Sequence, residues 1–338
     1  MTHEVQLLLE TIKSWQQLGK RAVLASVVAL EGQSYRRPGV RMIISEDGEQ
    51  VGAVSGGCVE QEIVRQAQSV FMTGISKIMT YDGRLRIGCD GILSILIEPV
   101  FLENALLNEF ELVLASRQKF GISSFYFPVP CVNKNMGSLI ILNNRTFSLY
   151  SSFSASVITD QKSFKQTFEP LFRLFIFGAE HDAVRLCQAA KQLGWEVTIV
   201  ASADESKSCD YFPGATSLIA PSFGDIDISL MDNQTAVVLM THSFTKDVQY
   251  LMALTDCRPA YLGMVGSLQR RERVISTLLE YRPDISIEFL EQIHSPAGLN
   301  LGAENASEIA VSILAEILSE VNHKVPEPLR NKVGSIHG

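Results

Sequence analysis

Hydrophobic and polar positions in the first half of the chain predict both helices and strands. Apolar residues spaced three and four positions apart predict helices over 2–18, 59–71 and 104–119. Short apolar or alternating runs predict strands over 22–30, 40–45, 50–54, 77–81, 92–99, 123–129, 138–143 and 146–151. We therefore expect a mixed α+β domain.

The second half alternates predicted strands and helices. Continuous apolar runs predict strands at 171–177, 196–201, 215–219, 236–241 and 260–265. The sequence GAEHDA follows the first strand and opens a helix that reaches Leu193. Asn305 and Glu308 have the spacing of a capping box before the apolar stripe of a last helix. This alternation predicts a Rossmann-like, doubly wound parallel sheet and, for the whole chain, the α/β class.

The domain boundary is predicted where the pattern fades. Residues 152–166 are polar, rich in serine and weakly periodic, as is typical of a linker. We place the boundary at Asp160, which gives domains 1–160 and 161–338.

Composition narrows the range of partners. The chain has 338 residues, of which 46% are hydrophobic, enough for two cores. A net charge of −8 argues against nucleic acid or an anionic membrane as the main partner. No run approaches the length of a membrane span and the first residues lack a signal-peptide pattern, so we expect a cytoplasmic protein.

The six cysteines form no CxxC pair and no Cys/His cluster. This spacing excludes an obvious zinc ribbon or iron–sulfur site, and free thiols are expected in a reducing compartment. Cys187 lies on an apolar helical face and is predicted to be core. Cys131, Cys209 and Cys257 are assigned no direct role.

The run SGGCVE, Ser55 to Glu60, is the strongest candidate site. It follows an apolar strand and starts a helix, so Gly56 and Gly57 let the backbone approach a ligand. The first N–H groups of a helix favour an anion, and they also stabilise a thiolate at Cys58. The alternative is an ordinary turn with a buried cysteine.

Two further motifs could complete this site. Arg36, Arg37 and Arg41 in YRRPGVR could supply guanidinium groups to an anionic ligand. Cys89 in GCDG precedes a strand and could face Cys58 across that ligand; an ordinary turn is the alternative.

The second half departs from the dinucleotide-binding fingerprint at two positions. Gly178 begins the fingerprint, but Glu180 replaces the glycine next to which a pyrophosphate would lie. Ala201 stands where an acidic residue would bind the ribose. NAD(P) binding is therefore not expected, and an NAD(P)-dependent oxidoreductase is the rival hypothesis. His242 follows a strand at the edge where open α/β sheets bind ligands, with a hydrogen-bonded loop residue as the alternative.

Several of these motifs occur together in one known family. GQSYRRPGVRMIISEDGEQVGAVSGGCVE, followed by GCDG and IEP, resembles the N-terminal domain of the XdhC/CoxI family, the accessory factors of molybdenum hydroxylases. THSFTKD, YLGMVGS and HSPAGLNLGAENASEIAVSILAEI resemble its C-terminal domain. Phe244 departs from the family pattern, which has a second histidine there, and Glu180 stands in place of a glycine.

The resemblance implies a carrier more than a catalyst. Such proteins are associated with binding molybdenum cofactor, a pterin dithiolene with a phosphate, and with its sulfuration and insertion into a xanthine dehydrogenase-type enzyme of purine catabolism. A cysteine desulfurase and a second copy of the chain are further candidate partners. A hydroxylase subunit itself would need clustered iron–sulfur cysteines, which this chain lacks.

A phosphate suits arginines and a helix N-terminus, and a thiol suits a soft metal. Cys58 is the candidate catalytic residue. The candidate cofactor-binding residues are Arg36, Arg37, Arg41, Ser55, Gly56, Gly57, Cys58, Glu60, Cys89, Gly178, His242, Gly263, Gly266 and Ser267.

Overall fold

The structure is a computed structural model that describes residues 1–32, 37–85, 91–154 and 159–332, without the side chains of Cys58 and Leu85. The chain divides into two units, Met1–Pro170 and Leu171–Gly338.

Within its described residues, the first unit combines three α-helices with two sheets. The helices are α1 (Thr2–Gln17), α2 (Cys58–Thr73) and α3 (Asn104–Ala115). Sheet A has the order β3-β2-β1-β5-β4-β7 and sheet B the order β10-β6-β8-β9. The strands are β1 (Ala22–Glu31), β2 (Arg41–Ser45), β3 (Gln50–Gly52), β4 (Lys77–Asp82), β5 (Ile92–Val100), β6 (Phe120–Tyr126), β7 (Cys131–Val132), β8 (Gly137–Leu142), β9 (Arg145–Ser148) and β10 (Lys162–Phe168).

The two faces of sheet A bury different neighbours. Val23, Ala25 and Val27 of β1 pack with the buried stripe of α2. Ala22 and Leu24 point to the other face and pack with α1, α3 and sheet B. Since side chains alternate along a strand, this apolar strand serves two cores at once. Each large apolar side chain buried in this way contributes about 1.5–3 kcal/mol.

A buried carboxyl group lies between the two sheets of the first unit. Glu98 of β5 is 1% exposed and accepts hydrogen bonds from the backbone N–H of Ser138 at 2.7 Å and from its Oγ at 2.6 Å. Burial raises the pKa of Glu98 to about 7, although the Ser138 donors and the charge of Arg41 act in the opposite direction.

The boundary between the units differs from the predicted one. Strand β10 pairs antiparallel with β6 along its whole length, so the first unit extends to Pro170. The predicted cut at Asp160 lies before this strand. Polar residues dominate KSFKQTF because β10 is an edge strand that is partly exposed, and the pattern therefore resembled a linker.

The second unit is the doubly wound sheet expected from the sequence. All five strand pairs of its sheet are parallel, in the order β13-β12-β11-β14-β15-β16. Its strands are β11 (Arg173–Phe177), β12 (Glu196–Val200), β13 (Ser217–Ile219), β14 (Thr235–Leu239), β15 (Tyr261–Met264) and β16 (Ile293–His294). Its helices are α4 (His181–Gln192), α5 (Phe244–Ala253), α6 (Leu268–Tyr281), α7 (Ile287–Glu291) and α8 (Ala306–Val321).

The order of these strands reverses between β11 and β14, which is where ligands bind in Rossmann folds. Helices α4 and α8 cover one face of the sheet, and α5, α6 and α7 cover the other. The Asn305 half of the predicted capping box is confirmed, because Asn305 Oδ1 accepts from the N–H groups of Ser307 and Glu308 at 3.1 Å. The Glu308 carboxylate accepts from the N–H of Glu304 at 2.9 Å instead of from the N-cap residue. Cys187 is fully buried in the core, as predicted.

Candidate cofactor-binding site

Three segments that carry predicted motifs leave sheet A at the same end. Glu31, the last residue of β1, pairs with Ile92, the first residue of β5. Asp82, the last residue of β4, pairs with Ile92 as well. Strand β2 begins and β3 ends at this end of the sheet. The connections that meet this edge are 32–40, 53–57 and 83–91.

The carboxylate of Glu60 fixes the shape of the 53–57 segment. It accepts hydrogen bonds from the backbone N–H groups of Val54 at 3.0 Å, Ser55 at 2.5 Å and Gly57 at 2.7 Å. Partial burial opposes ionisation, but the N–H donors outweigh it and lower the pKa of Glu60. Glu60, which the sequence suggested as a ligand contact, thus accepts three backbone donors of its own loop.

The two glycines leave the surface of this loop open. Gly57 has φ = +118°, a conformation that favours glycine. A Cβ at Gly56 or Gly57 would meet no atom within 4 Å in the part of the chain that the structure describes. A ligand can therefore approach the backbone before α2 closely.

Cys58 is the first residue of α2, as the proposed stabilisation of its thiolate by the helix start requires. Its side chain lies outside the described part of the structure, as do Arg36 and Cys89. Arg37 is described and exposed. The roles assigned to these four residues stay predictions.

Arg41 is buried between sheets A and B. Its Nη1 donates to the carbonyl oxygen of Gly39 and to Oε1 of Gln166, both at 2.7 Å. Its guanidinium carbon lies 5.6 Å from the ring centre of Phe168. Burial lowers the pKa of Arg41 to about 10, against the attraction of Glu98 and Glu4. Arg41 therefore links Gly39, near the end of the 32–40 connection, to Gln166 of β10 by hydrogen bonds.

This position differs from the expectation that Arg41 joins Arg36 and Arg37 over the SGGCVE segment. Met42 and Ile44 belong to the core under α2, whereas Ile43 belongs to the core under α1. Since side chains alternate along β2, Arg41 points to the side of Ile43, away from α2.

At the strand reversal of the second unit, Gly178 is required by a close backbone approach. It has φ = +131°, and a Cβ there would lie 2.5 Å from the carbonyl oxygen of Met240. A side chain would push β11 away from the end of β14. Packing thus accounts for the first glycine of the fingerprint.

The structure places the two residues that depart from the fingerprint, Glu180 and Ala201, at the same edge of the sheet. The side chain of Glu180 is 57% exposed and lies 4.0 Å from Nζ of Lys207, which also pairs with Glu205 at 3.1 Å. Ala201 is fully buried and offers no group to a ribose. The ammonium group of Lys207 is therefore already near two carboxylates of the protein, those of Glu180 and Glu205.

His242 lies beside an acidic residue at the same edge. Its φ is +55°, and its Nε2 lies 3.4 Å from Oδ2 of Asp182 in the first turn of α4. The side chain of His242 is 53% exposed. A ligand at the strand reversal could therefore contact this imidazole.

A buried ion pair beside His242 was not foreseen from the sequence. Asp247 on α5 is 1% exposed, and one of its oxygens binds Nη2 and Nε of Arg270 on α6. Its other oxygen accepts a hydrogen bond from Thr241 Oγ1 at 2.6 Å. The available signal was only the presence of an aspartate in THSFTKD and an arginine after YLGMVGS.

Three other predicted contacts have structural roles. A Cβ at Gly263 would lie 2.5 Å from the ring of Tyr261, and one at Gly266 would lie 2.6 Å from Cδ of Arg270. Ser267 Oγ caps α6 by accepting from the N–H of Arg270 at 3.2 Å. These residues shape the edge of the sheet, and their contact with a ligand stays a prediction.

No group of three or more His, Cys, Asp or Glu side chains that could hold a metal ion occurs within residues 1–32, 37–85, 91–154 and 159–332. Across the same ranges, no helix combines the length and apolar character needed to cross a bilayer.

An α+β unit with its motif segments at one end of a sheet, joined to a parallel unit of Rossmann strand order, defines a two-unit α/β protein. Two family models match successive parts of it: the XdhC and CoxI family over residues 15–82, and the XdhC Rossmann domain over residues 174–317. The chain belongs to the XdhC/CoxI family.

Two relatives and one solved structure align over most of the chain. A Bacillus subtilis protein named as a probable subunit of xanthine dehydrogenase is 28% identical, covering 88% of this chain and 93% of its own. The Escherichia coli molybdenum cofactor insertion chaperone PaoD is 27% identical, covering 90% and 85%. A crystal structure from Bacillus halodurans, described as a xanthine dehydrogenase, has a TM-score of 0.76 at 26% identity and covers 95% of this chain and 98% of its own.

Proposed function

We propose that this protein is an accessory factor that binds molybdenum cofactor and assists its sulfuration and insertion into a xanthine dehydrogenase-type hydroxylase. The relatives named for cofactor insertion and for xanthine dehydrogenase support the role. The structural observation that carries it is that the strand ends flanking three motif-bearing connections lie at one end of sheet A. The cofactor is the cargo of the protein and leaves with the recipient enzyme.

The open loop before α2 suits the cofactor phosphate. Backbone at Gly56 and Gly57 can be approached closely, and the start of α2 offers the positive end of a helix dipole. Arg37 is exposed and can add a charge-assisted contact. Glu60 holds this loop in shape through hydrogen bonds within the chain, so little ordering is needed on binding.

We assign sulfur chemistry to Cys58, at the start of α2, and to Cys89 in the 83–91 connection. A thiolate at Cys58 is a soft ligand for the molybdenum centre, and the helix start favours the ionised form. Cys89 is the second candidate. A cysteine desulfurase is the proposed sulfur donor, and a homodimer is the proposed assembly.

The test is to purify the protein from cells that make molybdenum cofactor and to measure bound pterin and molybdenum. We expect the wild type to retain both and Cys58→Ser to lose most of them while it stays folded. Cys131→Ser is the matched control, because Cys131 is half-buried and has no assigned role. A second readout is activation of a cofactor-free hydroxylase.

The results of this test distinguish the carrier function of the protein from the role of Cys58. Wild-type protein without pterin would overturn the carrier function. A folded Cys58→Ser variant that retains the cofactor and activates the hydroxylase normally would remove Cys58 from the site and leave Cys89 as the candidate.

A further inference from the structure

A cavity of about 260 Å³ lies between the N-terminal half of α1 and the strands β2 and β3. Its volume is slightly below the range of about 300–1,000 Å³ that is usual for small-molecule sites, so it suits one compact ring system. Most of its walls are apolar. Besides Met1, the apolar side chains that line it are Val5, Leu7, Leu8, Val40, Ala53 and Phe168.

The cavity adjoins the proposed cofactor site along the chain. Gly39 and Val40 end the 32–40 connection, and Ala53 begins the segment that leads to α2. A ligand in the cavity would thus lie beside two of the three connections that carry the family motifs.

A buried guanidinium with unused donors lines this cavity. Arg41 is 9% exposed, and its Nη1 is satisfied by Gly39 and Gln166. Its Nε and Nη2 are also buried but have no hydrogen-bond partner among the described residues. Buried donors without acceptors are rare and costly, so this arrangement calls for an acceptor that the described residues do not supply.

A carboxylate lies on the other side of the same cavity. Glu4 of α1 is exposed at the rim, where its Oε2 pairs with the N-terminal ammonium at 2.5 Å, and it is near enough to Arg41 to act on its charge. The two groups together present donors from one wall and acceptors from another. This pairing matches a flat lactam ring, in which a carbonyl oxygen stands beside N–H groups.

We propose that the cavity binds the pterin ring of the cargo, with Arg41 donating to the ring carbonyl and Glu4 accepting from the ring N–H groups. The inference rests on the proposed function, which supplies a pterin as ligand. The apolar walls bury the faces of the ring, and Ala53 places it next to the segment that begins α2. An oxopurine such as guanine has the same lactam edge and is the alternative source of this chemistry.

The experiment titrates cofactor-free protein with pterin alone and follows quenching of pterin fluorescence. We expect saturable binding by the wild type and at least tenfold weaker binding by Ala53→Leu, which fills the cavity. Arg41→Lys keeps the charge but loses the planar fork, and Glu4→Gln loses the acceptor charge; each should weaken binding several-fold. Glu10→Gln, on α1 but outside the cavity, should bind as the wild type does.

The same variants are then purified from cells that make the cofactor. Retained cofactor in all of them, with unchanged pterin titrations, would overturn the cavity as the pterin site and leave the carrier function intact. Loss of pterin from the wild type itself would overturn the function and this inference together. Tighter binding of guanine than of pterin would reassign the cavity to purines. If Ala53→Leu does not fold, the pterin titration of Glu4→Gln, whose substitution lies on the exposed rim, decides whether the cavity binds the pterin.

Discussion

Arg270 of α6 approaches one oxygen of the buried Asp247 of α5 with two nitrogens, Nη2 at 2.5 Å and Nε at 3.1 Å. The pair links the segment that follows β14 with the segment that follows β15, both at the ligand-binding edge of the Rossmann sheet. It therefore holds His242 and Ser267 in one rigid rim.

Asp247→Ala should destabilise the second unit strongly, because the variant leaves the Arg270 charge partly buried without its partner. Loss of one member of a buried pair costs about 3 kcal/mol or more. Urea unfolding, followed by a probe in the second unit, measures the effect. Asp284→Ala is the control: it breaks the exposed pair with Arg282, which solvent screens, and should cost far less than Asp247→Ala. Equal losses in the two variants would contradict this view of the rim.

Glu98 should make the first unit less stable as the pH rises. Its pKa is about 7 in the folded protein, against an ordinary value of 4.5. Between these values the folded protein keeps a proton that the unfolded chain has lost, so the free energy of unfolding decreases from about pH 4.5 to about pH 7. At 1.36 kcal/mol per pKa unit the decrease is about 3 kcal/mol.

Glu98→Gln removes this titration. Compared with the variant, the wild type should lose stability through this pH window and show a constant difference above it. Urea unfolding at a series of pH values measures both curves, and parallel curves would show that Glu98 does not hold the proton.

Glu60 should make the first unit more stable as the pH rises, which is opposite to the effect of Glu98. Its pKa is lowered in the folded protein, so its contribution is present above the ordinary value of 4.5 and is lost as the pH falls through the lowered pKa. Glu60→Gln should cost about 1 kcal/mol at pH 7, the usual value of a helix cap, and less in acid. Glu111→Gln, which breaks an exposed pair with Lys13, is the control. A cost that persists in acid would mean that the carboxylate charge is not what holds the loop.

NAD(H) and NADP(H) should bind the wild type weakly or not at all. Glu180 places a carboxylate where a pyrophosphate would lie, and Lys207 is already engaged by Glu205. Calorimetric titration of the wild type and of Glu180→Gly tests this. Affinity that arises only in the variant supports the argument, whereas micromolar affinity in the wild type would restore the oxidoreductase hypothesis.

The sequence predicted the fold better than it predicted side-chain directions. Apolar runs located the parallel strands of the second unit, because such strands are buried on both faces and their pattern is continuous. The edge strand β10 was missed because partial exposure permits polar residues.

For the site residues, too, the sequence did not predict where side chains point or which distant residues they contact. Arg41 was grouped with its neighbours in the sequence, although the alternation with Met42 already indicated the opposite face. Glu60 could have been recognised as a cap from its spacing to Gly57. The pair of Asp247 and Arg270 depends on two helices meeting, which periodicity along one chain does not reveal.

Strand β10 also determines the shortest polypeptide from which the first unit can be prepared alone. A fragment that stops at Asp160 lacks Gln166 and Phe168, so the Arg41 guanidinium loses an acceptor and its aromatic neighbour. Strand β6 would then become the outer strand of sheet B, with a row of backbone groups free to pair with another molecule. Residues 1–160 should therefore self-associate, whereas a fragment that continues to Pro170 keeps the polar strand β10 at that edge and covers β6.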